Sequence, residues 1–351
     1  MAATSAFSGL TALGWDHRWI SALADVGNPL LWPARVSRVD RGACTAMTGS
    51  AKVRISMERD IEVAVGDWVG VAGSVADTTA RIATVLPRRA AFRRTRPTKG
   101  AGTKVVAANI DTVFVCDALN GGLSLRHLER FLALVWQSGA TPVVVITKSD
   151  AALVQDRTDA VNSAKTVSGG VSVVVASSVT PDGVLALEPY LIPGRTVALL
   201  GLSGAGKSTL ANRLAGAEIL RTGAVRGDSS GRHTTSPREL VLLPQGGLLI
   251  DTPGMRALSV LGAATGVEQA FGDVEALAGY CRYPNCSHSG ESGCAIAAAL
   301  ADRQLQPGRF EAWLRLRAEM APSKEHDARG DIAERKRRKA AKLAARRESN
   351  R

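Results

Sequence analysis

Gly201-Leu202-Ser203-Gly204-Ala205-Gly206-Lys207-Ser208 fills every fixed position of the pattern G-x-x-x-x-G-K-[ST], and Thr209 follows directly. Before it runs Thr196-Val197-Ala198-Leu199-Leu200, a continuous apolar segment, and after it Leu210 and Leu214 fall at helical spacing. A buried strand, a glycine-rich turn and a helix start are the context in which backbone N–H groups turn inward around phosphates. In that frame Lys207 reaches the β- and γ-phosphates, and the Ser208 hydroxyl ligates Mg²⁺. The stretch from Gly201 to Thr209 is therefore expected to hold a nucleoside triphosphate.

Two further pieces decide which nucleotide. Asp251-Thr252-Pro253-Gly254 follows Leu248-Leu249-Ile250 and so stands at the carboxyl end of a strand. There Asp251 can hold the Mg²⁺ shell, and the Gly254 N–H can meet the γ-phosphate. Thr147-Lys148-Ser149-Asp150 follows Val143-Val144-Val145-Ile146 and resembles the N/T-K-x-D guanine clamp. The two oxygens of Asp150 suit the guanine N1–H and 2-amino group together; adenine would leave the carboxylate unpaired. Ala176-Ser177-Ser178 falls where a second base-contacting loop is expected, with Ser177 its candidate contact. GTP is favoured over ATP.

The five apolar runs beginning at Thr112, Pro142, Val171, Thr196 and Leu248 predict a mostly parallel sheet with helices on both faces. Leu128, Leu132 and Val135 give the helix from Leu125 to Trp136 its core stripe. The motifs come in an unusual order, clamp first, then phosphate loop, then Asp251-Thr252-Pro253-Gly254. The same sheet results if the old termini are joined and another connection is cut, so residues 105–262 read as a circularly permuted α/β P-loop GTPase domain. Between loop and Asp251, Gly231-Arg232-His233-Thr234-Thr235 lies in a Gly/Ser/Arg-rich stretch suited to a switch. Thr235 or Thr234 is the candidate Mg²⁺ ligand there. Met255 stands where many GTPases place a water-orienting Gln, which predicts slow intrinsic hydrolysis, with His233 a candidate catalytic group.

Upstream, Arg35–Val39, Lys52–Ser56 and Trp68–Val71 read as short strands between Gly42, Gly49, Gly66 and Gly73. Residues 34–87 are expected to form a small OB-fold barrel, behind an N-terminal extension, 1–33, that carries Trp15, Trp19 and Trp32. Such barrels serve both as RNA binders and as inert modules, so this segment alone decides no function. Downstream, Cys281-x₄-Cys286-x-His288-x₅-Cys294 supplies three thiolates and an imidazole, a closed tetrahedral set suited to one structural Zn²⁺. It opens a zinc-binding and helical domain, 263–330, before a basic tail, 331–351.

Of 351 residues, 45% are hydrophobic and 22% charged, which excludes a disordered chain, a collagen and a disulfide scaffold. No apolar run approaches a membrane span, and Asp16, His17 and Arg18 interrupt the N-terminus, so a cytoplasmic protein is expected. Five cysteines, three of them clustered, fit a metal site better than disulfides. The net charge of +12 sits in two places. Arg88–Lys104, read as a basic linker, holds seven Lys/Arg and no acid; Glu334–Arg351 holds nine Lys/Arg and two Glu. Everything else is close to neutral, and two local patches on a neutral body suit a polyanion such as RNA.

These motifs together resemble the RsgA/YjeQ family of circularly permuted GTPases. Asn109-Ile110-Asp111 and Gly231-Arg232-His233-Thr234-Thr235 also look like family signatures, whereas Thr147 replaces the commoner Asn of the clamp, and Ser236 stands where a third Thr is common. The resemblance implies a bacterial, monomeric GTPase that acts on the small (30S) ribosomal subunit. It also implies that barrel and zinc knuckle grip 16S rRNA, and that the subunit stimulates hydrolysis to GDP. Release of the protein, and of ribosome-binding factor A, would accompany late assembly. The rivals are a P-loop ATPase or kinase, and a GTP-gated RNA-binding scaffold whose hydrolysis is incidental.

Overall fold

The computed structural model describes residues 9–49, 51–58, 60–74, 79–95, 103–120, 122–219, 238–250 and 264–320. The candidate switch residues His233, Thr234 and Thr235, the Asp251–Gly254 motif and the basic tail lie outside the described residues.

Five strands close into a barrel in the order β1-β2-β3-β5-β4: β1 (Trp32–Val39), β2 (Ala43–Met47), β3 (Lys52–Ser56), β4 (Trp68–Ala72) and β5 (Arg81–Val85). All neighbours are antiparallel except β3 and β5, which gives the OB-fold. Ala34, Val36, Cys44, Ile55, Val69, Val71 and Ile82 fill the interior. The N-terminal segment caps this barrel through α1 (His17–Ala24), whose first turn is capped by the Asp16 carboxylate accepting from the Arg18 and Trp19 amides. Its Trp15 and Trp19 pack on Trp68, with ring centroids 4.7 and 6.2 Å away. Burial of three indoles at one point explains why residues before the barrel are ordered against it.

The stretch expected as a linker carries strand structure. β6 (Ala91–Thr95) pairs antiparallel with β7 (Thr103–Ala108) in a two-stranded ribbon, and Phe92 and Val105 are buried beneath it. Arg88 forks onto Asp67 at 2.7 and 2.8 Å, so one arginine of the basic run is spent on the barrel's own carboxylate.

The central sheet has the order β10-β9-β8-β11-β13-β12. It comprises β8 (Thr112–Ala118), β9 (Thr141–Thr147), β10 (Val173–Val175), β11 (Thr196–Gly201), β12 (Leu240–Leu242) and β13 (Leu248–Ile250). Only the edge strand β12 runs antiparallel. α2 (Leu125–Ser138), α3 (Val154–Ser168) and α4 (Lys207–Ala215) cover the faces. β11 lies in the middle, between β8 from the earlier half of the chain and β13 from the later half. That neighbour relation is what a permuted connection requires: the site is assembled in space although its parts come in a different order along the chain.

Four short helices finish the described chain: α5 (Ala264–Ala270), α6 (Gly272–Ala278), α7 (Ala295–Ala301) and α8 (Pro307–Met320). Arg309 of α8 ties them to the sheet domain. Its guanidinium lies 4.3 Å from the Phe271 ring centroid, forks onto Asp273 at 2.8 and 3.1 Å, and donates to the Val167 and Ala270 carbonyls. On the other side Arg315 donates to the buried Glu129 of α2 at 3.0 Å.

Candidate functional site

Every expected base- and phosphate-facing residue within the described chain lies at the carboxyl ends of β9, β10 and β11. Gly201 ends β11 with φ 152°, and a Cβ there would stand 2.2 Å from the Cys116 carbonyl oxygen. Only glycine lets the loop leave the strand so close to β8. Gly206, at φ 73°, is the residue before α4, and its carbonyl already accepts from the Leu210 amide at 2.9 Å. Lys207 and Ser208 thus occupy the first turn of α4, where amide groups and the helix dipole present positive potential to an anion. The Lys207 ammonium folds back on the loop and donates to the Leu202 carbonyl at 2.6 Å. Beneath the loop, burial pushes the Cys116 thiol up to about 12, so it is an inert floor.

The clamp comes next to this loop through one hydroxyl. Thr147 is buried, and its Oγ1 stands 2.9 Å from the Ala205 carbonyl and 3.1 Å from the Asp117 carbonyl. Lys148 adopts a left-handed conformation, φ 58°, which turns the chain at the end of β9. The Ser149 hydroxyl donates to the Ala176 carbonyl at 3.1 Å, fixing the clamp to the loop after β10. From that loop the buried Ser177 hydroxyl donates to Asp150 Oδ1 at 2.6 Å, and its oxygen accepts from the Val179 amide at 3.2 Å. Asp150 itself is exposed, and with Oδ1 oriented by the Ser177 hydroxyl its carboxylate stays accessible to two adjacent N–H donors of a base. Asp117 was not anticipated. Its carboxylate accepts from the Ala118 and Ser124 amides at 3.0 and 2.7 Å, which fixes the strand end beneath Thr147. An aspartate closing an apolar strand was the available signal.

Of the side chains expected around Mg²⁺, Ser208 is within the described residues; Thr235 and Asp251 are outside them. Its place in the first turn of α4, next to Lys207, fits a ligand for a cation carried in with the phosphates.

The knuckle brings its four residues together. The ligand atoms of Cys281, Cys286, His288 and Cys294 all lie within 4.8 Å of one another. His288 Nδ1 is 3.5 Å from Cys281 Sγ and 3.6 Å from Cys294 Sγ, and those two sulfurs are 4.0 Å apart. A tetrahedron with Zn–S of about 2.3 Å and Zn–N of about 2.0 Å has edges of roughly 3.5–3.8 Å, so the set fits one zinc ion. Glu291 holds the turn: its carboxylate accepts from the Ser287 and Ser289 amides at 2.7 and 2.8 Å and from the Ser287 hydroxyl. Those donors, the Ser287 hydroxyl first, keep its pKa at about 2. His288, in the left-handed region at φ 61°, lies 5.5 Å from Trp313 of α8 between ring centroids. The other two thiols, Cys44 and Cys116, are buried and not part of this cluster.

A glycine-rich loop joined by a buried threonine to a carboxylate clamp, in a sheet whose strands are entered out of the usual order, defines a circularly permuted P-loop GTPase. Residues 85–261 match the RsgA GTPase family. The small ribosomal subunit biogenesis GTPase RsgA of Streptomyces avermitilis is 42% identical over 317 residues, covering 88% of this chain and 84% of its own. That of Streptomyces coelicolor is 40% identical over 322 residues, covering 89% and 87%. Among solved structures, YjeQ from Thermotoga maritima superposes with a TM-score of 0.64 at 22% identity, covering 84% of this chain and all of that one. YloQ, described as a circularly permuted GTPase, superposes at 0.61 with 21% identity, over 83% of this chain and 95% of its own. The chain belongs to the RsgA GTPase family, and hydrolysis of GTP is its chemistry.

Proposed function

We propose that this GTPase assists late maturation of the small ribosomal subunit, hydrolysing GTP slowly alone and much faster on the subunit. The observation that carries the reading is the reach of the likeness. About 40% identity to named small ribosomal subunit biogenesis GTPases extends over 88–89% of this chain, beyond the GTPase domain into the flanking modules. In this reading Asp150, positioned by Ser177, recognises guanine; Lys148 and Ser149 shape the clamp. The amides from Gly201 to Thr209 and the Lys207 ammonium hold the phosphates. Ser208, Thr235 and Asp251 share the Mg²⁺ that accompanies GTP, and Gly254 meets the γ-phosphate. His233 orients water, or the subunit completes that task; a group supplied in this way is worth up to about 10⁵-fold, near 7 kcal/mol. One structural Zn²⁺ on Cys281, Cys286, His288 and Cys294 holds the knuckle, and barrel and knuckle bind 16S rRNA. The protein acts as a monomer in the bacterial cytoplasm, and hydrolysis releases it, together with ribosome-binding factor A.

The test is GTP hydrolysis by purified protein with and without purified small ribosomal subunits at fixed salt. A slow basal rate that rises many-fold, and is lost in Lys207→Ala, is expected. A rate indifferent to the subunit would move the partner elsewhere while leaving the GTPase standing.

A further inference from the structure

At the amino ends of β8, β9 and β11, opposite the phosphate loop and clamp, opens a cleft of about 520 Å³ that the nucleotide chemistry does not use. Its size is that of a small-molecule site, for which roughly 300–1,000 Å³ is usual. Three guanidinium groups line it from three parts of the chain: Arg18 on α1, Arg89 before β6 and Arg195 before β11. Two of them meet on one oxygen. Asp111 Oδ1 accepts from Arg89 Nη2 at 3.3 Å and from Arg195 Nη1 at 3.1 Å, while Oδ2 accepts from the Thr196 amide at 2.8 Å. Both oxygens of the single carboxylate in the lining are therefore engaged, and two guanidinium forks stand side by side. Arg89 is held further by the Trp19 ring, 5.4 Å from its guanidinium carbon, and by Asp16 at 3.8 Å.

A fourth cation stands behind these. Arg35 is buried, and although burial lowers its pKa to about 10 it stays protonated at neutral pH, supported by the Asp111 charge and opposed by that of Arg89. Four guanidinium groups against the carboxylates of Asp111 and Asp16 leave two positive charges in excess. Fixed forks of this kind match the oxygens of a phosphoryl group, and two excess charges with room for more than one phosphate suit a diphosphate. Much of the remaining lining is apolar. Ile192 is half exposed there, and the Tyr190 ring is set edge-on against buried Phe114 with centroids 5.8 Å apart. A metal cation is rejected by the charge, and a purely apolar ligand leaves the forks unsatisfied.

We propose that the Arg18–Arg89–Arg195 cleft is a second small-molecule site of this GTPase, which takes the diphosphate group of a phosphorylated small anion. It is separate from the GTP site: β11, from Thr196 to Gly201, spans roughly 17 Å between the cleft and the phosphate loop, so both sites can be filled together. The assignment does not depend on the ribosomal partner.

The test uses the full-length protein saturated with GDP, so that the phosphate loop is already occupied. Inorganic pyrophosphate and ADP, whose adenine the guanine clamp rejects, are titrated in by calorimetry at fixed salt. One pyrophosphate per chain is expected. Arg18→Ala and Arg195→Ala, both at exposed positions, should each weaken it about tenfold, the loss of one charge-assisted contact, with basal GTP hydrolysis and the thermal midpoint without added anion unchanged. Arg195→Lys should restore part of the affinity, because it returns the charge without the fork. ADP that binds more tightly than pyrophosphate, and still needs Arg195, identifies the source as a nucleoside diphosphate; equal binding of the two identifies the diphosphate alone, and both results uphold the site. Absence of saturable binding by either probe at millimolar concentration overturns it, as does binding that both alanine variants retain in full. An RNA duplex that binds through Arg18 and Arg195 while neither small probe does also overturns it.

Discussion

The Thr147 hydroxyl donates to the Ala205 carbonyl at 2.9 Å, joining the base clamp to the phosphate loop through one proton. A second carbonyl, that of Asp117, lies 3.1 Å away on the neighbouring strand, so this hydroxyl sits where β8, β9 and the loop converge. Asn is the commoner residue at such a position, and threonine retains the bridge to the loop while giving up an amide that could also reach the base. The loop and the clamp are therefore one unit here, despite the 58 residues that separate them in the chain.

Removing that bridge is expected to weaken nucleotide binding without emptying the fold. Thr147→Val keeps the shape and leaves the Ala205 carbonyl without its donor, which costs about 1–2 kcal/mol and so about 5- to 30-fold in GDP affinity. Thr147→Asn should bind at least as well as the parent. Titration with a fluorescent guanine nucleotide measures both; a Thr147→Val protein with unchanged affinity would detach this hydroxyl from nucleotide binding.

The guanine preference should follow Asp150. Asp150→Asn replaces an acceptor pair with one acceptor and one donor, so it should lose GTP and gain xanthosine triphosphate, whose 2-oxo group accepts. Ser177→Ala should act more mildly, lowering GTP affinity several-fold, because it removes the 2.6 Å donor that orients the carboxylate and leaves the carboxylate in place. Hydrolysis measured with GTP, xanthosine triphosphate and ATP distinguishes these outcomes, and an Asp150→Asn enzyme still selective for GTP would exclude the clamp.

For the knuckle, elemental analysis should find one zinc per chain, and Cys286→Ser should lose it. Because His288 stands 5.5 Å from Trp313, stripping the metal with a chelator should change indole fluorescence as the turn opens. Guanine nucleotide affinity should stay within about twofold, since neither loop nor clamp touches these four residues. Retained zinc in Cys286→Ser would put another ligand in its place.

What could be read from the chain in advance has a common physical character. Phosphate, guanine and zinc each demand fixed residue types at fixed spacing, and so Gly201–Ser208, Thr147–Asp150 and the Cys/His set stand out locally. Strands β2 and β5 were not read. Ala43-Cys44-Thr45-Ala46-Met47 has little β-branching, and its place is set by pairing with β1 and β3, not by its own preference. The β6–β7 ribbon looks like a linker because its exposed face is all Arg, Lys and Thr; its buried residues, Phe92 on β6 and Val105 to Ala108 on β7, are too few and too small to show a strand period. The tryptophans at 15 and 19 show no period because they meet Trp68, about fifty residues on, at a single point. The role of Asn109-Ile110-Asp111 was likewise hidden. Asn109 accepts from the Arg89 amide at 2.9 Å and donates to the Gly66 carbonyl at 3.1 Å, contacts across the joint between barrel and GTPase domain that no local pattern encodes.

That joint turns on Arg35, which alternation along β1 would read as a surface residue. It is buried, and its guanidinium donates to the Leu13 carbonyl, to the Asn109 carbonyl at 3.1 Å and to Thr196 Oγ1 at 2.7 Å. Burial lowers its pKa to about 10, opposed by the Asp111 charge, so it stays protonated at neutral pH. One side chain thus ties the N-terminal segment, the barrel and the first residue of β11. Arg35→Met fills similar volume but leaves carbonyl acceptors unpaired in the joint, and about 3 kcal/mol or more of stability should go with it. Thr196→Val removes one acceptor and should cost about 1 kcal/mol. Because both changes break the same bond, the double variant should lose less than the two single losses together, by about 0.5 kcal/mol or more. In thermal unfolding Arg35→Met should also separate barrel and GTPase transitions that otherwise melt together, with guanine nucleotide raising only the second. Strict additivity, with a single transition in every variant, would mean that the tryptophan cluster and not Arg35 holds the barrel to the sheet.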